Sequence, residues 1–128
     1  MTRLLLITLL VLSSGPAYAE WLELSGDDRV TTYTDATTIQ RTGDLVRMWE
    51  LLNFQTLQES RNPYFSLKAV REYDCTLEQS RIISLYSYSG QMGTGEMVGS
   101  YLEDEVKWEP VMPGSLGQDV WKIACGKQ

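Results

Sequence analysis

Phe65-Ser66-Leu67-Lys68-Ala69-Val70-Arg71-Glu72-Tyr73-Asp74-Cys75 is the stretch whose pattern decides the fold. Its residues alternate, so Leu67, Ala69, Tyr73 and Cys75 share one face of a β-strand while Lys68, Glu72 and Asp74 share the other. The first face needs a cover, and the sequence supplies one near its end. Pro113-Gly114 leads into Ser115, with Gln118 three residues on, the form of a capping box in which each side chain satisfies a free backbone N–H of the first turn. Leu116, Val120, Ile123 and Ala124 then recur at helical spacing, with Trp121 and Cys125 one step round on the same broad stripe, and Gly126 is a natural stop. A helix of about ten residues does not persist alone in water, so packing on the sheet must hold it.

Outward from this pair, turn residues punctuate the chain at intervals typical of an antiparallel sheet. Trp21 to Leu24 and Val30 to Thr34 read as short strands separated by Ser25-Gly26-Asp27-Asp28. Asp35 to Gln40 reads as a turn or one helical turn, with Asp35 as cap and Ile39 tucked inward. Thr42-Gly43-Asp44 is a hairpin turn that launches a long strand from Leu45 to Phe54, and Gln55 to Tyr64 is an exposed loop. Arg81 to Ser89 is a further strand, Gly90 to Gly95 turns the chain, Glu96 to Leu102 returns, and Glu103-Asp104-Glu105 is a solvated acidic corner. Trp108 to Val111 is too proline-bound for a central strand. The expected fold is α+β: a five- to six-stranded antiparallel β-sheet with a C-terminal α-helix tethered to one face.

The first residues read as an export signal. Arg3 precedes an apolar run from Leu4 to Leu12, interrupted only by Thr8; Ser13 to Pro16 breaks any helix, and Ala17-Tyr18-Ala19 has the small-x-small form that signal peptidase reads. The run is under half of the roughly 20 apolar residues a spanning helix needs. Cleavage between Ala19 and Glu20 would divide the chain into a 1–19 signal peptide and a single 20–128 domain, periplasmic or secreted. No Cys lies near the cut, so no lipid anchor of the lipoprotein kind is expected, and no membrane insertion after cleavage. Losing Arg3 takes 11 basic residues to 10 against 17 acidic ones, a net charge of −7. That acidity disfavours nucleic acid and anionic lipid as partners, since both are bound by clustered Lys and Arg. Cys75 and Cys125 are the only cysteines, and in an oxidising compartment such a pair is a disulfide, here closing a 50-residue loop and stapling the helix to the sheet.

Little chemistry is encoded. The chain has no histidine, which removes Ser-His-Asp and Cys-His catalysis and the commonest zinc ligand. Gly90-Gln91-Met92-Gly93-Thr94-Gly95 lacks the lysine and the following helix of a phosphate loop. No catalytic, cofactor-binding or metal-ligating residue is assigned. Asp35, Glu50, Glu72 and Asp74 are the carboxylates on or beside strands, where a solvated face is the ordinary explanation; a hydrolase would need two acids across a cleft. Asp27-Asp28 and Glu103-Asp104-Glu105 lack the spacing of a calcium loop.

Arg71 is the exception in the deciding stretch, because alternation puts it on the covered Cys75 face. A buried guanidinium needs a carboxylate or several carbonyls. That partner is a residue such as Glu50 or Asp119, or a ligand carboxylate at the sheet–helix seam, unless the side chain reaches solvent at the edge. Trp21, Trp49, Trp108, Trp121, Tyr86, Tyr88 and Tyr101 either fill a core or form a binding surface; Tyr86 and Tyr88 share a face that, if uncovered, suits a dimer or partner contact.

In order and spacing, several landmarks resemble the surface-adhesin protein E family of Gram-negative bacteria. They run from Tyr33-x-Asp35 with Ile39, through Gly43 and Val46-Arg47-Met48-Trp49, to Ser66-x-Lys68 and Glu72-Tyr73-Asp74-Cys75. Arg81, Tyr88, Met92 and Gly95 follow, then Trp108-x-Pro110-Val111-x-Pro113-Gly114-Ser115 and the closing Cys125. The resemblance implies the same sheet, helix and disulfide, and a non-enzymatic interaction protein, the founding member being a dimeric, lipid-anchored adhesin for vitronectin, laminin and plasminogen. The expected function is therefore protein binding, to an envelope or host extracellular-matrix protein, with homodimerisation a further expectation. The alternative is a periplasmic inhibitor or small-ligand binder that uses the helix–sheet seam.

Overall fold

A computed structural model describes residues 19–102 and 107–127. The deciding stretch is a strand, Tyr64–Asp74, fourth in a sheet whose elements follow one another as β1 (Leu22–Gly26), β2 (Val30–Thr42), β3 (Leu45–Gln58), β4 (Tyr64–Asp74), β5 (Gln79–Tyr88) and β6 (Met97–Leu102). Each pairs antiparallel with the next, so spatial order equals chain order. A two-residue strand, β7 (Glu109–Pro110), lies beside the first residues of β5, and the helix α1 (Leu116–Cys125) closes the fold. The antiparallel sheet with one C-terminal helix is thus as expected, and the proline-bound segment takes an edge position because Pro110 cannot donate to a ladder on both sides.

Two expected boundaries move. Asp35 to Gln40 does not end its strand: β2 continues through a large bulge, in which Ala36 to Ile39 lie opposite Met48 alone, between the pairs Asp35–Trp49 and Gln40–Arg47. The Asp35 carboxylate accepts from the Thr37 amide, which is the turn chemistry the sequence signalled. Thr38 then stands in for the interrupted ladder, its hydroxyl accepting from Trp49 N at 3.0 Å and donating to the Asp35 carbonyl at 2.6 Å. The second change is in β3, which runs on to Gln58, so the exposed connection shrinks to Glu59–Pro63.

One face of the sheet is sealed. Val46 and Met48 of β3 and Tyr73 of β4 pack against Val120, Trp121, Ala124 and Cys125 of α1, with Ile39 at the margin. The helix begins at Ser115, whose hydroxyl accepts from Gln118 N at 3.1 Å. The Gln118 side chain does not return to Ser115 N, which already donates to Met112 O; it accepts instead from Gly114 N at 2.9 Å. At the other end Gly126 adopts a left-handed φ of 68°. The Trp121 indole donates to the Asp74 carbonyl at 2.9 Å, and the Cys75–Cys125 disulfide forms beside it. The export signal and the Glu103-Asp104-Glu105 corner lie outside the described residues.

Candidate interaction site

Period-two alternation gives the sheet two unlike faces. Under α1, Arg71 neighbours Glu50 diagonally across the β3–β4 register, in which Glu50 faces Ala69 and Met48 faces Arg71. The guanidinium meets the Glu50 carboxylate at 3.0 Å, and a further N–H reaches Ser80 Oγ at 3.4 Å. Burial works against the charge on Arg71, but the Glu50 carboxylate outweighs it and holds the group above the ordinary arginine value. Of the two structural partners read from the sequence, Glu50 is the one used; Asp119 points its residue to solvent.

Beside this pair lies a cavity of about 360 Å³ between β3, β4, the β7 segment and the start of α1, lined by Glu50, Arg71, Tyr73 and Glu109 among apolar neighbours such as Leu52 and Val111. Tyr73 is buried, and among the described residues its hydroxyl has no hydrogen-bond partner. Burial, reinforced by the Glu50 charge, pushes its ionisation far above the ordinary phenol range, so it is a neutral donor at every physiological pH.

Among the described residues the opposite face has no α-helix on it. Near β5 the hairpin turn Gln91–Gly93 folds back over it: Ser66, wholly buried, donates to Gly90 O and accepts from Gly93 N, while Asn53 Oδ1 accepts from Met92 N. The rest is a partly exposed row of aromatic and charged side chains. Trp49 and Tyr86 meet at 5.8 Å between ring centroids, and Lys68 Nζ lies 5.0 Å over the Tyr88 ring. Beyond them Glu72 accepts from Arg47 at 3.0 Å and from Arg81 at 2.7 Å, and Arg81 in turn covers Trp108 at 4.4 Å. Although Glu72 is buried, these two guanidinium groups overcome the desolvation and hold its carboxyl below the usual value.

The aromatic residues therefore divide as the two sequence readings allowed. Trp121 fills the core, whereas Trp49, Tyr86, Tyr88 and Trp108 line the open face. The outer strand β6 adds Met97 and Leu102, exposed by 53% and 68%, whereas Tyr101, paired with Leu85, lies on the α1 side of the sheet.

The remaining carboxylates serve local structure. Asp74 Oδ1 accepts from the Thr76 and Leu77 amides and shapes the β4–β5 turn. Asp27 does the same for Arg29 and Val30, and those two amides lower its ionisation. Among the described residues no cluster of three or more His, Cys, Asp or Glu is placed to hold a metal ion, and no helix is long and apolar enough to cross a membrane. Sequence reasoning missed two contributors. Ser66 stands out only as a landmark of the family resemblance, with nothing local to mark it as the anchor of a turn, and Glu109 enters the seam only through the β7 pairing.

Comparison with known proteins agrees with this geometry. The family model for surface-adhesin protein E matches residues 21–126. Crystal form II of Haemophilus influenzae protein E superposes with a TM-score of 0.63 at 13% identity, covering 91% of this chain and 94% of that one. The selenomethionine form of H. influenzae protein E gives 0.65 at 12% identity over 91% and 93%, and protein E from non-typeable H. influenzae gives 0.61 at 11% over 91% and 82%. At such identities the superpositions establish the shared fold. A comparison with curated protein sequences gave no match.

Proposed function

This chain belongs to the surface-adhesin protein E family, and on that premise we propose that it is an exported, non-enzymatic domain that binds another protein, either of the envelope or of the host extracellular matrix. The observation that carries the reading is the uncovered sheet face, where Trp49, Tyr86, Tyr88 and Lys68 stand together half-exposed. Aromatic side chains are what protein interfaces concentrate, because they bury large area at small entropic cost. The outer edge of β6, the last strand in the sheet order among the described residues, supplies a second contact mode, strand addition, by which a partner or a second copy of the chain extends the sheet. Cleavage after Ala19 places this domain in the periplasm or outside the cell.

The deciding experiment captures partners of the tagged domain from intact cells and, separately, measures binding to vitronectin and laminin. Retention of a matrix protein supports adhesion, and retention of one envelope protein without matrix binding supports a periplasmic role. Retention of neither, with the protein folded, defeats the reading.

A second reading has its own observation. The seam cavity, with the unpartnered Tyr73 hydroxyl and the Arg71–Glu50 pair at its wall, suits a small polar ligand with an acceptor for the phenol. A thermal-shift screen of small metabolites against wild type and Tyr73→Phe tests it, a shift confined to wild type being the expected outcome.

A further inference from the structure

Asp35 is 1% exposed and, among the described residues, has no cationic side chain as partner. Its carboxylate accepts from Thr37 N and the Thr37 hydroxyl through Oδ1. Among the described residues the remaining oxygen, Oδ2, accepts only from the backbone nitrogen of Glu20, at 2.9 Å. Lys68 borders the same depression, with Trp21 and Trp49, but its ammonium sits over the Tyr88 ring. A buried carboxylate without a cation is costly, and natural folds supply the missing charge.

Glu20 is the residue that follows the small-x-small site Ala17-Tyr18-Ala19. Hydrolysis of the Ala19–Glu20 peptide bond by a signal peptidase consumes one water, releases Ala19 as a carboxylate and leaves the Glu20 nitrogen as an α-ammonium. The atom that touches Asp35 thereby gains a full positive charge.

We infer that Asp35, held by the β2 bulge, is the receptor for the α-ammonium created when the leader is removed, so that processing completes a buried ion pair and stabilises the folded domain. The inference rests on the cleavage position in the proposed reading, and the two can fail separately.

Intact mass of the exported protein fixes the cleavage site: a chain beginning at Glu20 is expected, and another start removes the processing step. Docking is tested on purified chains whatever that result. Protein beginning at Glu20 is compared with protein beginning at Tyr18, each with Asp35 and with Asp35→Asn, by urea unfolding. The extended chain keeps an N–H at the same place and displaces only the charge. The expected result is a folding constant about tenfold larger for the Glu20-first chain, shrinking to within about twofold in Asp35→Asn. Equal constants in the two Asp35 chains overturn the inference. Should Asp35→Asn fail to fold, acylation of the α-amine provides the second readout. It should be at least about tenfold slower in the native Glu20-first chain than in urea, and equal rates again overturn the proposal.

Discussion

The Arg71 guanidinium lies 3.0 Å from the Glu50 carboxylate, on the face that α1 covers and one diagonal step across the β3–β4 ladder. Only 7% of the Glu50 side chain is exposed, so it depends on Arg71 for its charge to be tolerated. Arg71→Met should therefore cost about 2–4 kcal/mol in unfolding free energy, the penalty of an orphaned buried charge. Arg71→Met with Glu50→Leu should recover part of that loss. Denaturant unfolding of the three proteins checks this, and a negligible loss in Arg71→Met would show the pair to be structurally idle.

The Cys75–Cys125 bond ties the end of α1 to the end of β4 across 50 residues. Replacing both cysteines by serine should lower stability by roughly 2–4 kcal/mol, and the thermal midpoint by roughly 10–20 °C. Calorimetry with and without a reductant makes the same comparison on the unaltered chain.

Glu72 gives a pH dependence with a definite sign. Its carboxyl is held below the ordinary glutamate value of 4.5, since Arg47 and Arg81 outweigh the desolvation. The stabilisation is fully present at neutral pH and is lost as pH falls from 4.5 through the lower native value. Half of the Arg47 side chain is in water, which keeps the contribution to about 1–2 kcal/mol. Stability of Glu72→Gln measured against pH should fall less steeply below 4.5 than that of wild type; parallel curves would refute the assignment.

Ser66 fastens the Gln91–Gly93 turn by donating to Gly90 O and accepting from Gly93 N. Ser66→Ala leaves both backbone groups unsatisfied at a buried site and should cost about 1–3 kcal/mol. Hydrogen exchange at Gly93 should accelerate in the variant, and unchanged protection would contradict this anchoring role.

On the open face, Tyr86→Ser should weaken partner binding by about tenfold or more, while Asp119→Ser, at an exposed position of α1, should leave it unchanged. Titration of both variants against the captured partner decides between the face and the edge of β6.

Much of this architecture is legible in the sequence because it rests on short-range rules. Alternation in Phe65–Cys75 places Arg71 correctly beneath the helix, and Ser115 and Gly126 mark the bounds of α1. The choice of Glu50 over Asp119 is not legible, since it depends on the register between β3 and β4. Asp35 signals a local turn, but whether the strand resumes afterwards is decided by Thr38 meeting Trp49 on the neighbouring strand. The polar tail of β3 looks like a loop because Gln55 and Thr56 are exposed and no apolar rhythm marks the ladder. Which aromatics stay at the surface follows from α1 packing on one face of the sheet alone.

The order of the strands has a consequence for quality control. Every ladder among β1 to β6 joins neighbours in the chain, so all six main strands can zip together before α1 arrives. A polypeptide broken off before Trp121 keeps each hairpin but leaves Val46, Met48 and Tyr73 bare and Cys75 an unpaired thiol. Exposed apolar surface and a free thiol are what chaperones, proteases and thiol oxidases seize upon. The helix α1 thus acts as a latch that covers the sheet and takes up its thiol.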